Sequence, residues 1–226
     1  HNPLAQAQRR DSGTGGFTLF GESAIGILYN LNSQPGQQSM GLDADVLQGV
    51  QMVQLRVHDG DDASCLNLNR AQTPRLLGLQ PGQLQRRGSF TFTETIESAE
   101  KEQAWDLLNP GAPGLGENVV PAVGDYATIY WALGKSVGDE LDYIDEKGRK
   151  FRLRIVGMLK NSILQGSLLI SEDEFVSRFP SEDGYRMFLI DTPENRAEYV
   201  AGELSARLMD FGLTLTPATQ RLAQFN

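Results

Sequence analysis

The run Gly134-Lys-Ser-Val-Gly138 spells the G-x-S-x-G of a nucleophile elbow, in which a strained strand-to-helix turn presents a serine hydroxyl to a substrate carbonyl. That chemistry needs a strand before the turn, a helix after it and a histidine later in the chain. Both histidines, His1 and His58, come earlier, and a strand pattern begins at Leu141, so the run reads as a turn entering a strand. The same Gly-Lys-Ser fails as a phosphate-binding loop, because the glycine it would need at position 129 is Ile129. Gly13-Thr-Gly15-Gly16 has Thr18 where a dinucleotide fingerprint needs its third glycine, and it precedes a strand instead of joining strand to helix. Asp59-Gly-Asp61-Asp62 opens like a calcium loop, yet its sixth position is Ser64 and its twelfth is Arg70, where glycine and glutamate belong. His58 sits on the polar side of an alternating strand with no second internal histidine, which makes it a surface residue and not a zinc ligand. Cys65, the sole cysteine, can form no intramolecular disulfide and has no neighbouring Lys or Arg to depress its pKa, so it reads as a packed thiol. The 29 acidic residues are read as a solvated surface. No catalytic residue, cofactor-binding residue or metal ligand is assigned, and the chain is expected not to be an enzyme.

The 226 residues suffice for a substantial core, and 40% hydrophobic with 22% charged residues, 24 Gly and 10 Pro, is the make-up of a turn-rich globular chain. A net charge of −9 argues against nucleic acid or an anionic membrane as the primary partner, since both are polyanions that need a basic face. There is neither a signal-peptide pattern nor a run of 18 apolar residues. The chain opens at His1 and closes on Ala218-Thr-Gln-Arg-Leu-Ala-Gln-Phe-Asn226, a helix just begun with Thr216 as N-cap and Pro217 at its first position. The expectation is a piece of a larger protein.

The elements that must position any site follow from periodicity. Residues 1–15 read as a flexible polar lead. Phe17–Phe20 reads as a strand and Glu22–Leu31 as a helix carrying Ile25, Leu28 and Tyr29, followed by a Gln/Gly/Asp-rich loop over 33–49. Val53, Leu55 and Val57 alternate with polar residues as a half-buried strand, and Leu66 and Leu68 form a second extended segment. Beyond an expected boundary near residue 85, Phe90 and Phe92 mark a strand and Ser98–Leu108 a short helix that brings Trp105 and Leu108 together. Val119–Phe179 is the most strongly β-patterned stretch. In it, Leu141/Tyr143 and Phe151/Leu153/Ile155 flank the turn Asp145-Glu-Lys-Gly148, with Glu140 and Asp142 set to face Arg152 and Arg154. Ser167–Ile170 is a strand, and Ser171-Glu-Asp-Glu174 a capping box for a short helix that Pro180 ends. Tyr185–Ile190 is a strand. Thr192-Pro193 then starts a helix whose Ala197, Val200, Leu204, Leu208 and Phe211 recur at spacings of three and four before Gly212 and the extended Leu213–Leu215. The economical reading is an α+β chain with two parts. A discontinuous α/β subdomain over 13–85 plus 184–216 carries a β-rich insertion over 86–183, and 217–226 begins a helix leading toward a membrane segment.

Val137-Gly-Asp-Glu-Leu141, the turn at Gly148 and Phe151-Arg-Leu-Arg-Ile-Val-Gly-Met-Leu159 resemble the extracytoplasmic domain of FtsX/MacB-family ABC-transporter permeases, as does the closing Ala218–Asn226 segment. The resemblance covers about residues 119–180 and 216–226. It implies a porter-like α/β subdomain with an inserted β-rich subdomain, held outside the cytoplasmic membrane by helices that lie beyond this chain. It also implies a cytoplasmic ABC ATPase as partner, with the chemistry residing there. An outer partner would be a periplasmic adaptor, a lipoprotein or a cell-wall enzyme, and nucleic acid is not expected. A stand-alone extracytoplasmic binding module, or a hydrolase with a dispersed site, is the alternative.

Overall fold

The computed structural model describes residues 9–60, 73–96, 99–111 and 115–225. Its ten strands make one mixed sheet in the order β10-β1-β9-β2-β3-β8-β5-β7-β4, with β6 paired to β7. The strands are β1 Leu19–Ile27, β2 Gln51–His58, β3 Arg75–Leu79, β4 Phe92–Thr95, β5 Val119–Asp125, β6 Glu140–Ile144, β7 Lys150–Leu159, β8 Ser167–Ser171, β9 Tyr185–Asp191 and β10 Thr214–Pro217. The β3/β8 and β5/β7 pairs are parallel and the others antiparallel. The molecule is thus α+β, as its sequence pattern predicts. Strands from 13–85 and 184–217 occupy the run β10 to β3, those from 86–183 occupy the rest, and β3/β8 joins the two runs. The largest buried cluster draws on both, packing Phe17, Phe20, Val53 and Leu189 with Trp105, Val123 and Val156.

The predicted helix over Glu22–Leu31 is a strand as far as Ile27 and irregular beyond it. Glu22 pairs with Thr214 on one side and Met187 on the other, and hydrogen bonding from two neighbours overrides local helical spacing. Ile25, Leu28 and Tyr29, the supposed apolar face, are exposed, whereas Leu19, Phe20 and Ile27 are buried. A register shift lies between Glu22 and Ile27, where a side chain at Gly26 would meet the Asp183 carbonyl at 2.0 Å. The expected loop over 33–49 contains helix α1, Gln34–Ser39, whose Ser33 hydroxyl accepts from Gly36 N at 3.1 Å. The lead at 9–16 is tied down by Phe90 N donating to Arg10 O at 2.7 Å and Ser89 Oγ donating to Gly15 O at 2.7 Å.

Helix α2, Pro81–Arg87, runs across the expected boundary near residue 85 and ends at left-handed Gly88. Phe90, at φ 67°, stands outside β4, and its N–H is committed to Arg10 O in the lead segment. Lys101–Leu108 is 3-10 helix that buries Trp105 and Leu108 as predicted, and Trp105 Nε1 donates to Ser89 O at 3.1 Å. The β6/β7 hairpin has the predicted register, Leu141 opposite Leu153 and Tyr143 opposite Phe151, and Arg152 reaches Glu140 at 2.7 Å. Its turn is organised by Asp145, whose carboxylate accepts from Lys147 N and Arg149 N, each at 2.9 Å, while Gly148 takes φ 79°. Ser171 Oγ accepts from Glu174 N at 3.3 Å and caps α3, Glu172–Arg178.

After β9, a 3-10 turn at Glu194–Arg196 leads into α4, Ala197–Arg207, and a second at Met209–Phe211 ends at left-handed Gly212. Val200, Leu204 and Leu208 are buried, and Ala197 and Phe211 half-buried. Thr192 does not cap this helix. Its N–H donates to Thr18 Oγ1, which donates back to Thr192 O, and this exchange locks the start of β1 to the end of β9. Thr216 likewise stays in β10 opposite Phe20, so α5, Ala218–Ala223, begins one residue later than predicted.

Both described ends of the chain lie together. Leu222 reaches Gly13, Ile163 N donates to Gly13 O at 2.9 Å, and Thr91 Oγ1 donates to Asp11 O at 2.6 Å. β1 runs from this end to the opposite one, and β7 runs back from there. There the hairpin turn meets Arg178 and Ser181, and Gly26 meets Asp183 and Gly184. From the sequence, the β-rich insertion over 86–183 is expected to project from the side opposite the chain ends. In the structure only part of it lies there, the hairpin turn with residues 178–183, because β7 is long enough to bring Thr91 and Asn161 back beside Gly13.

Candidate interaction surface

The motifs tested for chemistry stay apart. Gly134 and Gly138, at φ 64° and 97°, make the turn before β6, and Gly138 N donates to Ile155 O at 2.7 Å. His58, predicted to lie on the surface, is half-buried. It stacks on Phe179 at a 4.1 Å centroid distance and places Nδ1 2.7 Å from Glu182 Oε2. Asp59 ion-pairs with Arg186 at 3.0 Å, while Asp61, Asp62, Cys65, Leu66 and Leu68 lie outside the described residues. Among the described residues no three His, Cys, Asp or Glu side chains gather so as to hold a metal ion, and no helix is long and apolar enough to cross a membrane.

The densest titratable cluster is structural in form. Glu172 at the start of α3 accepts from Arg56 Nε at 2.8 Å, Tyr185 Oη at 2.7 Å and Gln80 Nε2 at 3.1 Å, and the Arg56 guanidinium lies 5.0 Å from the Tyr185 ring centroid. Burial works to raise the Glu172 carboxyl, but the bonds from Arg56, Tyr185 and Gln80 together bring it below the ordinary value. Burial, then the adjacent Glu172 carboxylate, raise the Tyr185 phenol. A carboxyl lower in the folded than in the unfolded chain stabilises fully above the unfolded value of about 4.3, and that stabilisation is lost as pH falls through the folded value. Acid titration of the melting temperature should therefore show a component below pH ~4.3 that Glu172→Gln removes.

The surface feature that needs explanation is a π-helical turn, Ala127–Ala132, inside the stretch predicted to be β. It begins where β5 ends at Asp125, which is fully buried. One oxygen of that carboxylate accepts from Thr128 N at 3.0 Å and Thr128 Oγ1 at 2.7 Å, the other from Ser162 N at 3.2 Å and Ser162 Oγ at 3.3 Å. Ile129 packs inward, while Tyr126, Tyr130 and Trp131 face out. Tyr126 and Tyr130 stack 5.2 Å apart and Tyr130 meets Trp131 edge-on at 5.1 Å, with Trp131 72% exposed. The turn adjoins the chain ends, since Ala127 N donates at 2.9 Å to the side chain of Asn161, whose carbonyl lies against Gly13.

The same end bears a cleft of about 430 Å³ lined by Arg10, Arg86, Arg87, Asn32 and Gln51. Arg87 is held there by Gln51 Oε1 at 2.6 Å, by Asp191 at 3.0 Å and by the Phe17 ring at 4.3 Å. Burial pulls its guanidinium below the ordinary value, and Asp191 opposes that. Arg10 and Arg86 are exposed, and Arg10 Nη1 donates to Arg87 O at 3.3 Å. Sequence reasoning gave none of these residues a functional role. An aromatic pair four apart beside a tryptophan was the available signal for the turn.

No family model and no curated protein matches the chain. Among solved structures it is similar to the periplasmic region of MacB from Actinobacillus actinomycetemcomitans, with 11% identity, 94% of each chain covered and a TM-score of 0.45. It is also similar to the extracellular domain of the noncanonic ABC-type transporter YknZ from Gram-positive bacteria. That match has 13% identity over 87% of this chain and 99% of the other, with a TM-score of 0.42.

Proposed function

We propose that this chain is a non-catalytic extracytoplasmic domain of an ABC-transporter permease, tethered to the membrane at the end where its two chain ends meet and meeting an outer partner at the other. The observation that carries the reading is this adjacency of the ends, which a domain placed between two membrane helices requires. The Val137–Leu159 hairpin, which resembles those of FtsX/MacB permeases, supports it. In this reading 13–85 with 184–216 is the porter-like part and 86–183 the inserted part. ATP hydrolysis by a cytoplasmic ATPase moves both through the membrane helices, and the hairpin end hands that motion to an adaptor, a lipoprotein or a cell-wall enzyme. The test is to purify the full-length parent chain from detergent-solubilised membranes. The reading expects an ATP-hydrolysing subunit to co-purify; a full-length chain that is soluble and carries no ATPase would overturn it.

A further inference from the structure

We propose that the end of the molecule holding both chain ends is a contact surface for anionic phospholipid headgroups, with Arg10 and Arg86 taking phosphate and Tyr130 and Trp131 lying in the headgroup layer. The inference rests on the membrane-tethered reading above.

Three observations converge on it. Tyr130 and Trp131 expose large rings with polar edges, the side-chain type that settles at a membrane–water boundary. They do so from a turn fixed by the buried Asp125, so the exposure is built into the fold. The neighbouring cleft presents Arg10 and Arg86, while Arg87 is the one of its three arginines held in an ion pair among the described residues. A guanidinium fork matches phosphate oxygens, and an anionic surface attracts basic residues that lie near it. Both features border the segments at Arg9–Gly13 and Ala218–Leu222 from which a membrane tether would lead, and tethering makes even a weak contact persistent by raising local concentration. The net charge of −9 argues against a polyanion partner for the molecule as a whole, but a planar membrane meets one face only.

The experiment tethers the domain through a C-terminal histidine tag to nickel-chelating vesicles of phosphatidylcholine, with or without phosphatidylglycerol. Trp105 is buried, so Trp131 is the reporter. On the anionic vesicles Trp131 emission should shift to the blue and be quenched by brominated lipid, and Trp131→Phe should remove both signals. The double variant Arg10→Glu/Arg86→Glu should lower binding of the untethered domain to anionic vesicles about tenfold or more. Unchanged Trp131 emission on anionic vesicles, or binding equal for both lipids and both proteins, would overturn the inference and leave this end to a protein partner. Cysteine labelling of the full-length chain separates the two failures. If the domain is membrane-tethered but Trp131 stays in water, only this inference falls; if the chain has no membrane segment, the permease reading falls with it.

Discussion

Replacing Leu204 by Asp should abolish the cooperative melting transition of the domain. Leu204 is 1% exposed in the cluster that packs α4 against Leu19, Met52, Phe188 and Ile190, so the substitution removes a buried leucine and leaves an unpaired carboxylate among apolar side chains. Cavity formation alone costs about 2–5 kcal/mol, and burial of the charge adds to it, which together approach the whole stability of a domain this size. Ser205→Asp, one position along on the exposed face, should change the melting temperature little. Calorimetry of the two variants side by side is the check; a Leu204→Asp protein that melts like the parent would mean the helix is not packed on the sheet.

Asp125→Ala should cost about 2–5 kcal/mol by denaturant unfolding, because it leaves the buried Thr128 and Ser162 N–H groups without acceptors. The Thr128 and Ser162 hydroxyls also donate to this carboxylate and lose that acceptor, although Thr128 Oγ1 still accepts from Gly166 N at 2.8 Å. Hydrogen exchange should accelerate most at residues 127–132 and 162–166, the two segments this carboxylate clips together. Uniform acceleration across the domain would show that Asp125 supports global stability and does not specifically anchor the aromatic turn.

The parts of this fold written locally were legible. The β6/β7 hairpin could be read to its register, since period-two alternation and the chemistry of Asp145 and Gly148 are contained in twenty residues. Ser171 as a cap, the Val200/Leu204/Leu208 stripe and Gly212 are equally local signals. β1 was legible only at its start, Leu19 and Phe20, because the extended form from Glu22 on is imposed by β9 and β10, which lie far along the chain. The π-helical turn was hidden for the same reason, as half of its Asp125 clip comes from Ser162, 37 residues away. The arginine cleft brings Arg10 beside Arg87 across 77 positions, and no motif spans such a gap.

The permease role requires the domain to lie outside the cytoplasmic membrane and to be held there by its parent chain. Protease added to spheroplasts that express the full-length chain tests this most directly, with fragments followed by antibody to residues 140–159. The account predicts that externally added protease digests the domain, and that the undigested chain pellets with membranes and resists carbonate extraction. A chain that is protected from protease in intact spheroplasts and recovered in the soluble fraction would contradict it.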